Sequence, residues 1–311
     1  MIEYTFSEEY DLQKTFEVGQ IFRFESFDNG KTYYGTLSDR IIKITQTTEN
    51  SFVIQSKDET KLQPLLDVFF RIKDNYSSMI REISIDPVMK SVISITKGLR
   101  LLQQEPFECS ISYILSQNSN IPRIKHHLEQ LALNFGKKME FDNRTFYTFP
   151  SRDDLLKVPE ETFRSFGFGY RAAYIYQFLH DYPTFLDSKS IDPIRDSEIF
   201  NLKLQKIHGI GQKVADCIHL FGYGDLSRFP TDVWIKRFMN RFYFQEFSEN
   251  EKNEKNERSA KSAKSAKSTK SGKSVKKITQ RGQELFGKWA GYAQEFIYYA
   301  IRNDPHLLDS T

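Results

Sequence analysis

A change of hydrophobic rhythm near residue 61 constrains this chain most. Before it, the stretches "IFRFESF", "KTYYGTLS", "RIIKITQT" and "SFVIQSK" alternate apolar and polar residues, separated by turn-like DNG, SDR and TEN. A period of two belongs to strands with one buried face, so this part is read as an antiparallel sheet. Beyond it, in "LQPLLDVFFRI", "SSMIREI" and "PVMKSVISITKGLRLL", apolar residues return every three or four positions. That interval marks helices. The same rhythm runs through residues 108–247, in "CSISYILSQ", "RIKHHLEQLALNFG", "YRAAYIYQFLHDY", "EIFNLKLQKI", "QKVADCIHLFGYG" and "DVWIKRFMNRFYF". Gly136 suits a C-terminal cap within that run. A last helix is expected over about 279–302, containing "LFGKWAGYAQEFIYYAI". The fold class is therefore α+β. An N-terminal antiparallel sheet domain with helices is expected over residues 1–100, followed by an all-helical region over 101–311.

Length and composition limit the rest. The 311 residues suffice for a sizeable core and two domains. The N-terminus "MIEYTFSEEYDLQKTF" carries acidic residues and no continuous apolar run. That argues against a signal peptide, and no later stretch approaches a membrane span. The two cysteines, Cys109 and Cys217, fall inside apolar helical patterns and form neither a disulfide framework nor a C-x-x-C metal spacing. A soluble intracellular protein is expected. Net charge is +3, yet residues 249–277 alone carry ten Lys or Arg against four Glu, leaving the remainder near −3. In "SAKSAKSAKSTKSGKSVKK" lysine recurs among Ser and small residues with almost nothing to bury, so a disordered basic insertion is expected over 249–277. It is either a mobile arm for nucleic-acid phosphates or a solvated loop that keeps the chain soluble.

The segment "LQKIHGIGQKVADCI" breaks one helix near Ile207 and starts another near Gln212. Gly209, Ile210 and Gly211 make the turn, since glycine tolerates positive φ and leaves no Cβ in the way of an approaching group. Amides at the following helix start sit at the positive end of its dipole and suit a phosphate. The pattern is that of a helix–hairpin–helix, and equally that of an ordinary tight turn. Lys213 follows in the first turn of the second helix. A lysine amine with its reference pKa near 10.4 is almost wholly charged at pH 7. Both a helix N-terminus and desolvation disfavour that charge and favour a nucleophile. A surface lysine touching phosphate is the plainer reading. In "FPTDVW", Asp232 stands at the expected start of the next helix behind Pro230, where it would cap in any case. A carboxylate beside a sugar cation would also stabilise an oxocarbenium-like transition state.

Gly209 to Cys217 together with Asp232 resembles the catalytic segment of the HhH-GPD superfamily of DNA glycosylases. Within it the chain is most similar to the 8-oxoguanine DNA glycosylases of the eukaryotic type, from "VGQIFRF" near the start to "WAGYAQEFIYYA" near the end. Only the basic insertion and the N-terminal helices lack a clear match. The resemblance implies a β-rich N-terminal domain over 1–100 and a helical catalytic region over 101–311. It implies a bifunctional base-excision repair enzyme, a DNA glycosylase and AP lyase. Lys213 would attack C1′, expel 8-oxoguanine paired with cytosine and form a Schiff base, after which β-elimination cuts the strand. Asp232 would stabilise the developing positive charge.

The resemblance also assigns contacts. Asn118 in "SQNSNIPRI" would enter the gap left by the flipped nucleotide, and Arg123 would bind the orphaned cytosine. Tyr170 in "GFGYRAAY" would wedge into the duplex, with Arg171 on the same cytosine. The Gly19 carbonyl would accept the N7 hydrogen that distinguishes 8-oxoguanine from guanine. Gln294 would bond the Watson–Crick edge, while Cys217 and Tyr298 would sandwich the base. Gly209 and Gly211 would approach DNA phosphate, leaving a place there for a structural cation; no cofactor is required and no metal site is assigned. The partner implied is damaged double-stranded DNA, without a membrane, and the protein would act as a monomer. Departures stand at Tyr298, where Phe is usual, at Trp234, where a phosphate-binding His is usual, at Asn-Ser-Asn and at Pro122. Two alternatives remain: a glycosylase of the same fold for another damaged base, and a non-catalytic helix–hairpin–helix DNA-binding protein. Two separated cysteines cannot supply the four-cysteine iron–sulfur motif of other relatives.

Overall fold

The computed structural model describes residues 1–186, 191–244 and 266–304, without the side chains of 182–186 and 266–274. The chain forms two compact units, each assembled from two stretches. One comprises Met1–Tyr76 and Lys97–Asp225, the other Ser77–Thr96 and Leu226–Thr311. No described helix is long and apolar enough to cross a membrane.

The first unit begins with β1 (Ile2–Thr5), α1 (Leu12–Glu17), β2 (Phe24–Phe27), β3 (Thr32–Leu37), β4 (Arg40–Thr48), β5 (Ser51–Gln55) and α2 (Leu62–Phe69). The strands make one antiparallel sheet in the order β1-β5-β4-β3-β2. The edge strand β1 is absent from the sequence reading; only four residues long, it offers too short a run to show a period. The described stretch continues after the second unit's first two helices, α3 (Tyr76–Ile83, its first residue still in the first unit) and α4 (Pro87–Ile95). It then carries α5 (Pro106–Leu115), α6 (Ile121–Phe135), β6 (Lys138–Phe141), β7 (Arg144–Tyr147), α7 (Arg152–Leu155), α8 (Glu160–Ser165), α9 (Arg171–Leu186), α10 (Ser197–Leu204) and α11 (Gln212–Cys217).

Strand β3 shows how the layers arise. All six of its residues are buried, because both faces of the sheet are covered there. Tyr33 stacks on Phe16 of α1 at 5.0 Å, while Tyr34, pointing the other way, stacks on Phe146 of β7 at 5.9 Å. Behind Tyr33 lies a core including Phe52, Ile54, Leu66, Phe69 and Phe70, all nearly sealed from solvent. Each such side chain contributes roughly 1.5–3 kcal/mol on burial. The β6–β7 hairpin corrects the all-helical reading of residues 108–247. Its signal was present: "MEFDNRTFY" alternates around Asp142 and Asn143, both at positive φ as a two-residue hairpin turn demands.

The second unit holds α3 from Ser77 onward, α4, α12 (Val233–Tyr243), α13 (Ala266–Phe286) and α14 (Ala290–Asn303). Asp86 caps α4 through Oδ1 to the Met89 amide at 2.8 Å, and its Oδ2 accepts the Tyr243 hydroxyl at 2.8 Å, tying α4 to α12. Two expectations change here. Helix α13 starts at Ala266, so residues 266–277 are helical rather than irregular, whereas 249–265 lie outside the described residues. Ala and Lys are good helix formers, and buried Ile278 and Phe286 anchor turns from which helix extends cheaply. The single helix expected over 279–302 is broken by Gly287, at φ +54°, and a 3-10 turn at Gly287–Trp289. From Ala290 to Ile297 every residue of α14 is buried, so an amphipathic period could not have marked its face.

Candidate active site

The hairpin between α10 and α11 is fixed from three sides. Gly209 has φ +86°, and a Cβ there would lie 2.2 Å from Cγ of Tyr174, so the ring occupies the space of a side chain. The Gly209 carbonyl accepts Nε2 of Gln117 at 3.0 Å, and the Ile210 amide donates to Ile207 O at 3.0 Å. Ile207 and Ile210 are buried anchors. From beneath, the fully buried Asp216 carboxylate receives Gln212 Nε2 at 2.9 and 3.0 Å and Asn201 Nδ2 at 2.9 Å, joining α10 to α11. A buried carboxylate requires such donors. Sequence reasoning gave Asp216 no role; an acid amid apolar positions of a helix was its signal.

Gly211 begins α11, exposed, and nothing lies within 4 Å of a Cβ built there. Among the described residues no side chain caps this start. An uncapped start of this kind presents donor amides toward an approaching anion. Lys213 sits in the first turn, half-buried, with Nζ 5.4 Å from the centre of the Tyr113 ring. Cys217, one turn on, is buried, and burial raises the neighbouring Cys109 thiol well above its ordinary range. After Cys217 the helix widens into a π-turn, Ile218–Gly222, whose Phe221 stacks on Tyr113 at 5.4 Å.

Tyr113 also connects Lys213 to the Gly19 loop. Its hydroxyl donates to the Gln20 carbonyl at 3.2 Å, and Gln104 Nε2 donates to the same oxygen at 2.7 Å. The buried Gln20 side chain reaches Thr15 O and Arg100 O, each at 2.8 Å, and accepts the Leu102 amide at 2.8 Å. Gly19, at φ +108°, is thereby held in a conformation that favours glycine. The loop and the lysine thus meet the same aromatic ring, a relation the sequence spacing did not reveal.

A second group surrounds the turn after α5. Asn120 caps α6, its Oδ1 accepting the Arg123 amide at 3.0 Å. Pro122 in the first turn suits a helix start. Asn118 is exposed at φ +47° and donates to the Tyr170 hydroxyl at 3.1 Å; Tyr170 is 43% exposed. The exposed Arg123 donates to Gly167 O at 3.2 Å. Arg171 differs from its expected presentation. It is buried, and its guanidinium donates to Gln117 O through Nε at 2.7 Å and to Asn118 O through Nη2 at 2.8 Å. Here Arg171 holds the turn that carries Asn118. Gln117 joins both groups, its side chain on Gly209 and its carbonyl receiving Arg171 and the Tyr170 hydroxyl.

The remaining predicted residues belong to the second unit. Asp232 is the N-cap of α12, and Oδ1 accepts both the Trp234 amide at 2.9 Å and the Ile235 amide at 2.8 Å. Trp234 is 39% exposed, with the Arg237 guanidinium 5.0 Å above its ring. On α14, Gln294 is buried, and its Oε1 has no hydrogen-bond partner among the described residues. Tyr298, one turn on, is half-buried with the Arg302 guanidinium 5.4 Å from its ring. The described residues contain no cluster of three or more His, Cys, Asp or Glu suited to a metal ion.

Residues 4–109 match the family model described as the 8-oxoguanine DNA glycosylase, N-terminal domain. The apo-form crystal structure of Clostridium acetobutylicum 8-oxoguanine glycosylase/lyase is 30% identical. It covers 94% of this chain and 93% of its own, with a TM-score of 0.78. The chain belongs to the 8-oxoguanine DNA glycosylase family. The same Clostridium protein in complex with double-stranded DNA containing cytosine opposite 8-oxoguanine gives a TM-score of 0.80 at 28% identity, over 98% of this chain and 99% of that one. Among curated relatives, N-glycosylase/DNA lyase OGG1 of Arabidopsis thaliana is 31% identical over 73% of this chain and 65% of its own. A Methanothermobacter thermautotrophicus protein named "Probable N-glycosylase/DNA lyase" is 33% identical over 59% of this chain and 63% of its own. The chain therefore spans just under two thirds of the length of these two relatives.

Proposed function

We propose that this protein excises 8-oxoguanine paired with cytosine from duplex DNA through a lysine Schiff base and then cleaves the strand by β-elimination. One observation supports this most. Lys213 lies half-buried directly behind the Gly209–Gly211 hairpin, over a Tyr113 ring whose hydroxyl bonds the loop carrying Gly19. The hairpin amides hold a backbone phosphate, and the neutral Nζ of Lys213 attacks C1′ as the C1′–N9 bond breaks. The base leaves with that electron pair and takes up a proton. The helix dipole opposes charge on the amine, whereas the Tyr113 ring favours it, so attack requires the proton to be shed first. Asp232 stabilises positive charge on the sugar. The nitrogen then loses its extra proton and the C1′–O4′ bond opens, O4′ taking up a proton, which gives the protonated imine; this acidifies C2′–H, whose loss breaks the C3′–O3′ bond and releases the 3′ phosphate. The Gly19 carbonyl, the Gln294 amide with its unpartnered Oε1, Cys217 and Tyr298 receive the base; Asn118, Arg123 and Tyr170 fill and read the gap. Arg171 reaches the cytosine only by releasing the Gln117 and Asn118 carbonyls. The protein acts as a monomer on double-stranded DNA.

Incubation with duplexes holding 8-oxoguanine opposite each base, followed by borohydride, tests the reading. Covalent trapping is expected to be strongest opposite cytosine and absent for Lys213→Gln. Equal trapping by that variant would sink the nucleophile assignment.

A further inference from the structure

From Ala266 onward the Lys/Ser-rich stretch is not a loop but the opening turns of α13. Between Ala266 and Gln283 it carries Lys267, Lys270, Lys273, Lys276, Lys277 and Arg281 and no acid. The first acid, Glu284, pairs with Arg281 at 3.8 Å. On a helix, steps of three and four residues put positions 270, 273, 277 and 281 on one stripe. Ile278, Thr279, Gly282 and Phe286 are buried on the other side, and Lys276 and Lys277 are exposed. Like charges on neighbouring turns repel, and cations near a helix start oppose its dipole. A row of anions along the stripe offsets both.

Contacts inside the second unit give the stripe its place. Gln283 Nε2 donates to Ser227 O at 3.1 Å, and a Cβ on Gly282 would lie 2.5 Å from the Phe229 ring. Thr279 Oγ1 bonds Thr231 Oγ1 at 2.8 Å, and both residues are buried. As α13 is followed back toward its start, its partners advance along the chain toward Asp232. The turns bearing positions 277, 273 and 270 therefore continue on the Asp232 side of this contact. From Thr279 back to Ala266 the helix rises about 20 Å, a length over which one DNA strand spaces about six phosphates.

We propose that this stripe of α13 grips the backbone of duplex DNA and lengthens the footprint beyond the damaged nucleotide. The inference rests on the reading that sets Asp232 at the damaged sugar. Fluorescence anisotropy of the full chain on an undamaged duplex, over a series of salt concentrations, tests it. Lys270→Gln, Lys273→Gln and Lys277→Gln combined should lower the slope of log affinity against log salt by about 2–3 and weaken binding at least about tenfold near 0.1 M salt. The melting temperature should not change, and arginine at the same positions should keep both slope and affinity. Lys277→Gln alone should lower the slope by about 0.9, whereas Lys276→Gln, off the stripe, should leave it alone. An unchanged slope in the combined variant, or an equal loss from Lys276→Gln, would overturn the assignment. So would intact duplex affinity with lost binding to phosphatidylserine vesicles, which would give the face to a membrane surface. Undamaged DNA offers no base to excise, so failure of the Lys213 reading would show in borohydride trapping and leave these slopes untouched.

Discussion

Asp232 is asked to do two things, and two substitutions separate them. Its Oδ1 accepts the Trp234 and Ile235 amides at 2.9 and 2.8 Å, so the residue caps α12 whatever its chemistry. Asparagine offers the same carbonyl oxygen in the same place and caps as well as aspartate. Asp232→Asn should therefore keep the helix start, whereas Asp232→Ala loses about 1 kcal/mol, which lowers Tm by about 2–4 °C. The charge has a larger effect. A carboxylate about 4 Å from a sugar cation is worth about 4 kcal/mol at an effective dielectric near 20, close to a thousandfold in rate. Single-turnover base release from a duplex with 8-oxoguanine opposite cytosine reads this directly, beside thermal unfolding of each variant. Both variants should be slowed by roughly a thousandfold, with only the alanine variant melting early. Release by Asp232→Asn within about threefold of the parent would reduce Asp232 to a cap, and early melting of that variant would refute the capping account.

Three further outcomes follow from the geometry. Gly209→Ala places a Cβ 2.2 Å from Tyr174 at φ +86°, so it should lose stability and filter-retained DNA together, whereas Gly211→Ala meets nothing within 4 Å and should melt like the parent. Gln117→Ala removes the bond between the hairpin and the Asn118 turn, worth about 1 kcal/mol, and duplex affinity by fluorescence anisotropy should fall about fivefold. An unchanged affinity would refute the coupling. Burial, with Arg123, His126 and Arg171 nearby, lowers the buried His127 from 6.5 to about 4. A depressed pKa means the unfolded chain takes the proton first, so stability present above pH 6.5 should be lost as pH falls toward about 4. The slope is at most ~1.4 kcal/mol per pH unit. Urea unfolding of His127→Phe should lack that part of the slope.

The sheet and most helices were legible because their apolar periods differ, and "FPTDVW" or "SNIPRI" mark helix starts by local chemistry. The β6–β7 hairpin is marked only by the short "MEFDNRTFY" turn within a helix-rich stretch, and the break between α13 and α14 is not legible because a helix start buried on all sides has no amphipathic face. At the site, Gly209, Lys213 and Asp232 stand out by residue type and local context. Gln117, Gln20, Tyr113 and Asp216 do not, since their importance lies in partners far along the chain: 92 residues separate Gln117 from Gly209, and 93 separate Tyr113 from Gln20.

The sequence by itself therefore determined where the backbone bends and which groups bear the chemistry, because glycine conformation, helix caps and side-chain reactivity are local properties. Tertiary structure alone decided which groups share a partner. It turned Arg171 inward onto two carbonyls and set Lys213 and the Gly19 loop on one tyrosine. Burial and long-range hydrogen bonds arise only when distant segments exclude water together, and no local window of the chain contains both ends of such a contact.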